Sequence, residues 1–257
     1  MCGAMSLAEL VRRHDPDRYF CALFAPAPAR EALFTLYAFN HELARAREAT
    51  SEPGLALIRL QWWREVVEGA DRQHEVARPL HALIAAGGVP AAQLLSMIDM
   101  RESEAVDPPP TVDAFVALMR QGPGALAEAA GAALGGGDDG RLRELGAAFG
   151  VAGTLRNVPV LARQGRCNLP LDVLAAGGMS AEDAVANPAA ALAVARPALV
   201  EAGRSLLGRR RGVPRAVLAA ALPAVLARRD FGRATPPDAR GAGDRLAVLW
   251  AAISGAV

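Results

Sequence analysis

The chain has 257 residues, long enough to bury a substantial core as one large domain or two small ones. Hydrophobic residues make up 52% of it and aromatics only 5%, an alanine- and leucine-rich balance that favours packed helices over strands. The formal net charge of +1 excludes the strong basic excess of a nucleic-acid binder, and three scattered cysteines (Cys2, Cys21, Cys167) form neither a zinc pattern nor a disulfide framework.

Leu7 to Arg13 reads as a short opening helix stopped by Asp15-Pro16. Pro28 suits the first turn of the next helix, which runs to about Arg47 with Leu33, Leu36, Tyr37, Phe39 and Leu43 at helical spacing. Ser51-Glu52-Pro53-Gly54 breaks it, and a helix carrying Leu57, Leu60, Trp62, Trp63, Val66 and Val67 follows, ending near Gly69. Arg78 to Ala86 and Ala91 to Met100 are two further helices, separated by Gly87-Gly88-Val89-Pro90.

Asp107-Pro108-Pro109-Pro110 is a loop, with Thr111 the N-cap of the next helix and Gly122-Pro123-Gly124 a kink or break inside it. Gly135 to Gly140 is a turn before a long helix from Arg141 to near Ala162, disturbed by Pro159. Ser180 caps a short helical turn, with Asp183 three residues on. Helices over Pro188 to Leu207, Pro214 to Arg228 and Asp244 to Ser254 complete the chain. No strand pattern and no separating linker is evident, so one all-α domain over 1–257 is expected, with its core at about 15–230. No basic segment followed by an apolar stretch opens the sequence, and no uncharged window of about 18 apolar residues runs through it, so neither a signal peptide nor a membrane-spanning helix is expected.

Two helical segments carry the functional information. The first is Tyr37-Ala38-Phe39-Asn40-His41-Glu42-Leu43-Ala44-Arg45-Ala46-Arg47-Glu48. The second runs from Leu155-Arg156-Asn157-Val158-Pro159-Val160-Leu161 to Gly165-Arg166-Cys167-Asn168-Leu169-Pro170. Without a gap they resemble the signatures Y-A-F-C-R-x-x-D-D-x-x-D and L-R-D-V-x-E-D-x-x-x-G-R-x-Y-L-P of the squalene/phytoene synthase family. The resemblance extends to Asp17-x-Tyr19-Phe20, Arg30 and Trp62-x-Arg64, and implies an isoprenoid-synthase helical bundle around a central cavity.

In that family, carboxylates from two facing helices hold Mg²⁺ ions that clamp a prenyl diphosphate. An α-helix brings i, i+1 and i+4 towards one side, and Mg²⁺ demands oxygen ligands. Here the corresponding positions read Ala44, Arg45 and Glu48 in the first segment, and Asn157, Val160 and Leu161 in the second; only Glu48 is acidic. A guanidinium at Arg45 facing the old metal site would repel a unit charge ~4 Å away by about 4 kcal/mol, and a divalent ion by twice that, unless it snorkels outwards. No metal and no catalytic residue is expected, with Mg²⁺ required only if the chain is an active prenyl transferase.

The markers Tyr37-Ala38-Phe39-Asn40, Arg59-x-Gln61-Trp62-Trp63 and Gly178-Met179-Ser180-x-Glu182-Asp183 resemble the non-catalytic branch of this family, the one like a mitochondrial complex I assembly factor. That resemblance implies assembly of a membrane respiratory complex, with complex subunits or a lipid surface as partners. The scattered cysteines and the lack of an expected signal peptide or membrane-spanning helix lead to an expected location that is cytoplasmic, or peripheral on the inner membrane. The competing reading is a transferase condensing two prenyl diphosphates. Arg30, Tyr37, His41, Arg45, Arg156 and Arg166 are the candidate residues for a metal-free anion site holding a prenyl diphosphate or phospholipid, since arginine grips phosphate through a planar fork.

Overall fold

Capping residues and prolines set where the helices begin. In this computed structural model, residues 5–48, 53–136, 140–235 and 239–257 are described, and the side chains of residues 47, 48 and 53 lie outside that description. Helix α1 (Leu7–His14) opens on Ser6, whose hydroxyl accepts from the Glu9 N–H at 3.3 Å while the Glu9 carboxylate accepts from the Ser6 N–H at 3.0 Å. Asp15 ends α1 and at once caps α2 (Pro16–Ala22), with its carboxylate accepting from the Arg18 N–H at 3.1 Å. The expected stop at Asp15-Pro16 is therefore a corner between two helices, because Pro16 occupies the first turn, where its missing N–H costs nothing.

A 3₁₀ turn at Ala27–Ala29 leads into α3 (Arg30–Glu48), which α4 (Pro53–Val67) follows. The Ser51-Glu52 break lies outside the described residues. Next come α5 (Ala77–Ala85) and α6 (Ala91–Val106). Thr111 caps α7 (Val112–Met119), its hydroxyl accepting from the Ala114 N–H at 3.1 Å. At Gly122-Pro123-Gly124 the chain does not break: a π-helical turn over Arg120–Gly124 carries it into α8 (Ala125–Ala133). Pro123 lacks the N–H a regular turn would use, and the wider turn absorbs that loss.

Helix α9 (Arg141–Arg163) is the spine, packing against α8, the π turn and four later helices. Pro159 does not interrupt it, and faces outwards. A Cβ at Gly146 would meet the Pro123 carbonyl oxygen at 2.5 Å, so glycine there lets α9 approach the π turn. By length and hydropathy α9 passes as a possible membrane span, unlike the expectation from charge spacing, yet half of that stretch is buried inside the bundle.

Short helices α10 (Leu171–Ala176) and α11 (Ala181–Ala186) precede α12 (Pro188–Leu207). Ser180 caps α11 in a reciprocal box with Asp183. The helix expected over Pro214 to Arg228 is instead a 3₁₀ turn (Arg215–Val217), α13 (Leu218–Ala221) and α14 (Pro223–Phe231), because Pro223 starts a new helix. Helix α15 (Ala242–Ser254) closes against α14. Among the described residues the one strand-like pairing is an isolated bridge between Gly212 and Ala256. The fold is all-α, with Leu33, Leu36, Phe39, Leu43 and Trp63 of α3 and α4 on the side of α6 and α8, and α9 packed on α8, all in one core. Cys21 and Cys167 are free thiols; Cys2 lies outside the described residues.

Candidate functional site

Helices α1, α2, α3, α6, α9 and α15 enclose a cavity of about 950 Å³. Its apolar wall comes from Leu43, Leu60, Met100, Met119, Phe149 and Leu226. Its polar wall holds seven arginines against four carboxylates, Asp15, Asp17, Glu104 and Asp244. The excess of cations makes the interior favourable to an anion.

The two motif helices do face each other across this space. Ala44 and His41 of α3, and Asn157, Leu161 and Arg156 of α9, all line it, as does Arg166 beyond α9. The side chain of Glu48 lies outside the described residues.

Three of the six candidate anion ligands stand elsewhere. Arg45 is an exposed side chain paired with Glu42 at 3.0 Å, and it borders a separate cleft with Arg59, Trp62, Trp63 and His74. The snorkelling alternative holds for it, since a long side chain at the edge of α3 reaches water more cheaply than it enters a cavity already rich in arginine. Arg30 turns back to donate from Nε to the Ala25 carbonyl at 2.9 Å, fixing the entry to α3. Tyr37 is buried in the core beneath the Arg18 guanidinium, which lies 5.9 Å from its ring centre, and burial pushes its phenol well above the usual range.

Arg156 reaches the cavity wall but is already engaged. It pairs with Asp230 and lies 3.7 Å from Asp17. Arg240 clamps the same two acids, at 2.8 Å to Asp17 and 2.6 Å to Asp230, and Arg233 joins Asp230 at 3.1 Å to Asp244 at 2.5 Å. Arg229 adds a 2.6 Å contact to Asp244. Burial alone would raise the Asp244 carboxyl, but hydrogen bonds from Arg229 and Arg233 outweigh it and bring its pKa down to about 2. Arg240 is likewise burdened by burial, and its bonds to Asp230 and Asp17 reverse the sign and raise it. This lattice of three aspartates and four arginines ties α2, α9, α14 and α15 together along one side of the cavity.

The other carboxylates of the wall have partners too. Asp15 pairs with Arg18 at 2.7 Å, and Glu104 pairs with Arg101 at 2.6 Å while accepting from Asn168 Nδ2 at 3.2 Å. The Arg18 guanidinium lies 4.7 Å from the Phe149 ring centre and that of Arg156 lies 5.4 Å from it, so two cation–π contacts share one ring of the wall. His14 and His41 stack with ring centres 4.1 Å apart at the cavity edge. Burial, with His14 beside it, pushes the His41 imidazole below its ordinary range. Among the described residues no group of three or more histidine, cysteine or acidic side chains converges as a metal would require.

Sequence reasoning did not single out Asp244, Arg240, Phe149 or Glu104 as part of this wall, nor Asp230 as part of the lattice that holds it. Asp17 was visible only as a motif letter, and its partner Arg240 lies 223 residues away.

A helical bundle with two facing motif helices and a large cavity defines the isoprenoid-synthase class. The squalene/phytoene synthase family model matches residues 11–248, and the chain belongs to that family. The fold is similar to that of a dehydrosqualene synthase, with a TM-score of 0.68 at 13% identity over 96% of this chain and 94% of that one. It is also similar to squalene synthase HpnC from Alicyclobacillus acidocaldarius, with a TM-score of 0.64 at 17% identity over 97% and 92%.

In sequence the chain is similar to NADH dehydrogenase (ubiquinone) complex I, assembly factor 6, of Bos taurus, at 30% identity over 183 residues, 68% of this chain and 55% of that protein. The Homo sapiens protein of the same name is 34% identical over 103 residues, 38% of this chain and 31% of that one. The Drosophila melanogaster homologue is 28% identical over 203 residues, 70% and 58% respectively. The chain thus spans little more than half the length of these relatives at most.

Proposed function

We propose that this chain is a non-catalytic member of the squalene/phytoene synthase family that serves the assembly of a membrane respiratory complex of the NADH dehydrogenase type. The observation that carries this reading is the chemistry of the cavity wall. Where the family's metal ligands would project, the facing positions present Ala44, Asn157 and Leu161. The carboxylates that do line the cavity are each held by an arginine. Mg²⁺ takes an octahedron of hard oxygens, several of them carboxylate or phosphate. A methyl group, an amide and a leucine do not supply them, so no chemical step is assigned to a metal here. The names of the curated relatives support the assembly role in the same direction.

Two experiments decide it. Purified protein with Mg²⁺ and farnesyl or geranylgeranyl diphosphate should release no pyrophosphate above background, and a deletion strain should keep its isoprenoids while losing NADH dehydrogenase activity. Magnesium-dependent pyrophosphate release at enzymatic rates would instead establish the transferase reading.

One observation favours a second role for the same space. An apolar wall beside a cationic one suits a ligand with an anionic head and a long apolar tail, held without turnover. Of the residues first considered for this, His41, Arg156 and Arg166 line the cavity, and Arg12, Arg18, Arg101 and Arg245 join them. Binding of farnesyl diphosphate or a phospholipid in the presence of chelator tests it; no binding at millimolar ligand retires it.

A further inference from the structure

Helix α15 presents two opposite faces. Asp244, Val248 and Ala251 are buried at spacings of four and three, seated on α14 and locked there by the Arg229 and Arg233 contacts to Asp244. On the other side Leu246, Leu249, Trp250 and Ile253 recur at spacings of three, one and three, the period of one helical face. They are 63%, 42%, 68% and 59% exposed, so this is an apolar stripe left uncovered by the described residues. Scattered exposed apolar residues need no explanation, but four large ones aligned along a helix and centred on a tryptophan do.

Charge decides what covers it. Between Glu201 and Asp230 the chain carries seven arginines and no acidic residue, and residues 202–257 hold ten arginines against three aspartates in a protein of net charge +1. The fold brings Arg209, Arg210, Arg211 and Arg215 to the C-terminal end of α15. Arg211 and Val257 exchange backbone hydrogen bonds at 3.3 Å, and the Val213 N–H donates to the Gly255 carbonyl at 2.9 Å. These bonds clamp the exposed Arg209-Arg210-Arg211 segment beside the C-terminal end of α15. Arg215 reaches the same end, donating from Nη2 to the Ile253 carbonyl at 3.2 Å. Arg245, exposed, stands at the other end, where it also lines the large cavity.

We propose that this outer face of α15, with the arginines clamped at its C-terminal end, docks the protein on an anionic lipid bilayer. An amphipathic helix with tryptophan and leucine on one side and basic residues flanking it lies in the headgroup–acyl boundary, and clustered arginines add attraction to anionic lipid. A second copy of the chain fits less well. Two such stripes packed antiparallel would set the four arginines of one against Arg245 of the other, while the acid of α15, Asp244, is buried and already paired. Docking here places the rim of the cavity at the membrane, because Arg245 belongs to both. The inference rests on this exposed face and its charge, not on the assembly role, and it holds equally for a transferase.

The test is co-sedimentation of the full chain with phosphatidylcholine vesicles and with vesicles of three parts phosphatidylcholine to one part phosphatidylglycerol. Binding should favour the anionic vesicles by at least tenfold and weaken as salt screens the arginines. Each arginine removed should cost about fivefold, so R209Q/R210Q/R211Q should weaken binding on the order of a hundredfold. Trp250→Ser and Leu249→Ser should each weaken it at least tenfold. Trp250→Phe should still bind but lose the blue shift of tryptophan emission that bilayer insertion gives. All five positions are exposed, so circular dichroism and thermal melting should match the unsubstituted protein. Equal binding to both vesicle types, no binding, or variants that bind like the parent would overturn the proposal. So would a solution dimer that the same substitutions dissociate, which would assign the stripe to self-association.

Discussion

Asp230 is the keystone of the ion-pair lattice beside the cavity, and replacing it by asparagine should show how much the lattice stabilises the bundle. The buried carboxylate accepts from Arg156, from Arg233 at 3.1 Å, and from Arg240 at 2.6 and 3.0 Å. Removing one partner of a buried ion pair costs about 3–5 kcal/mol, because the remaining charge is left desolvated without compensation. Here the cost falls at the low end, about 3 kcal/mol, since Asp17 still holds Arg240 through three contacts of 2.8 to 3.1 Å and Asp244 still holds Arg233. In a domain of this size each kcal/mol shifts the melting temperature by roughly 2–4 °C, so D230N should melt about 6–12 °C lower. Urea unfolding followed by circular dichroism should show the same loss as a lower midpoint at unchanged slope. The double variant D230N/R240Q should lose less than the sum of the singles, because each single substitution already breaks the shared Asp230–Arg240 contacts. A loss under ~1 kcal/mol for D230N, or strict additivity in that cycle, would show that the lattice is solvated and carries little of the fold.

Three other perturbations test separate parts of the structure. His41 titrates below its ordinary value of 6.5 in the folded chain, so the unfolded chain binds more protons between the two values; stability should be complete above pH 6.5 and decline as pH falls through the folded value, and His41→Gln should flatten that slope in urea titrations across pH. Gly146→Ala should destabilise by about 1–3 kcal/mol, because the added methyl meets the Pro123 carbonyl at 2.5 Å and the Ala127 Cβ at 2.6 Å, while Gly153→Ala, open except for an Arg156 nitrogen at 3.9 Å, should gain up to about 1 kcal/mol in the same melts. Arg45→Gln should change stability by no more than ~0.5 kcal/mol, since it breaks only an exposed i,i+3 pair with Glu42, and should leave any anion binding in the large cavity unaltered.

The parts of this fold legible in the sequence are those decided within a few residues. Thr111 and Ser180 act on their own backbone neighbours, and the structure uses each as a helix cap. Local rules falter where packing arbitrates: Gly122-Pro123-Gly124 continues as a π turn because α9 presses against it, and Pro159 stays inside a helix because it faces outwards. The motif register set His41, Ala44, Asn157 and Leu161 around one space, since helical periodicity alone predicts which side they share. That periodicity cannot say whether a long side chain bends inwards or away, which is why Arg30 and Arg45 stand elsewhere. Nor can it pair Asp17 with Arg240 across 223 residues, although that pairing determines how much of the cavity's charge is spent. The same limit has a functional edge. Arginines counted along the sequence suggested a phosphate grip by Arg156, but a guanidinium between two aspartates has lost most of its call for an anion, and the net charge of the wall shifts towards Arg12 and Arg245, which have no acidic partner within 4.0 Å among the described residues. Any anionic head that enters should therefore be met by Arg12 of α1 and Arg245 of α15, both exposed on the cavity wall, rather than by Arg156 of the motif helix.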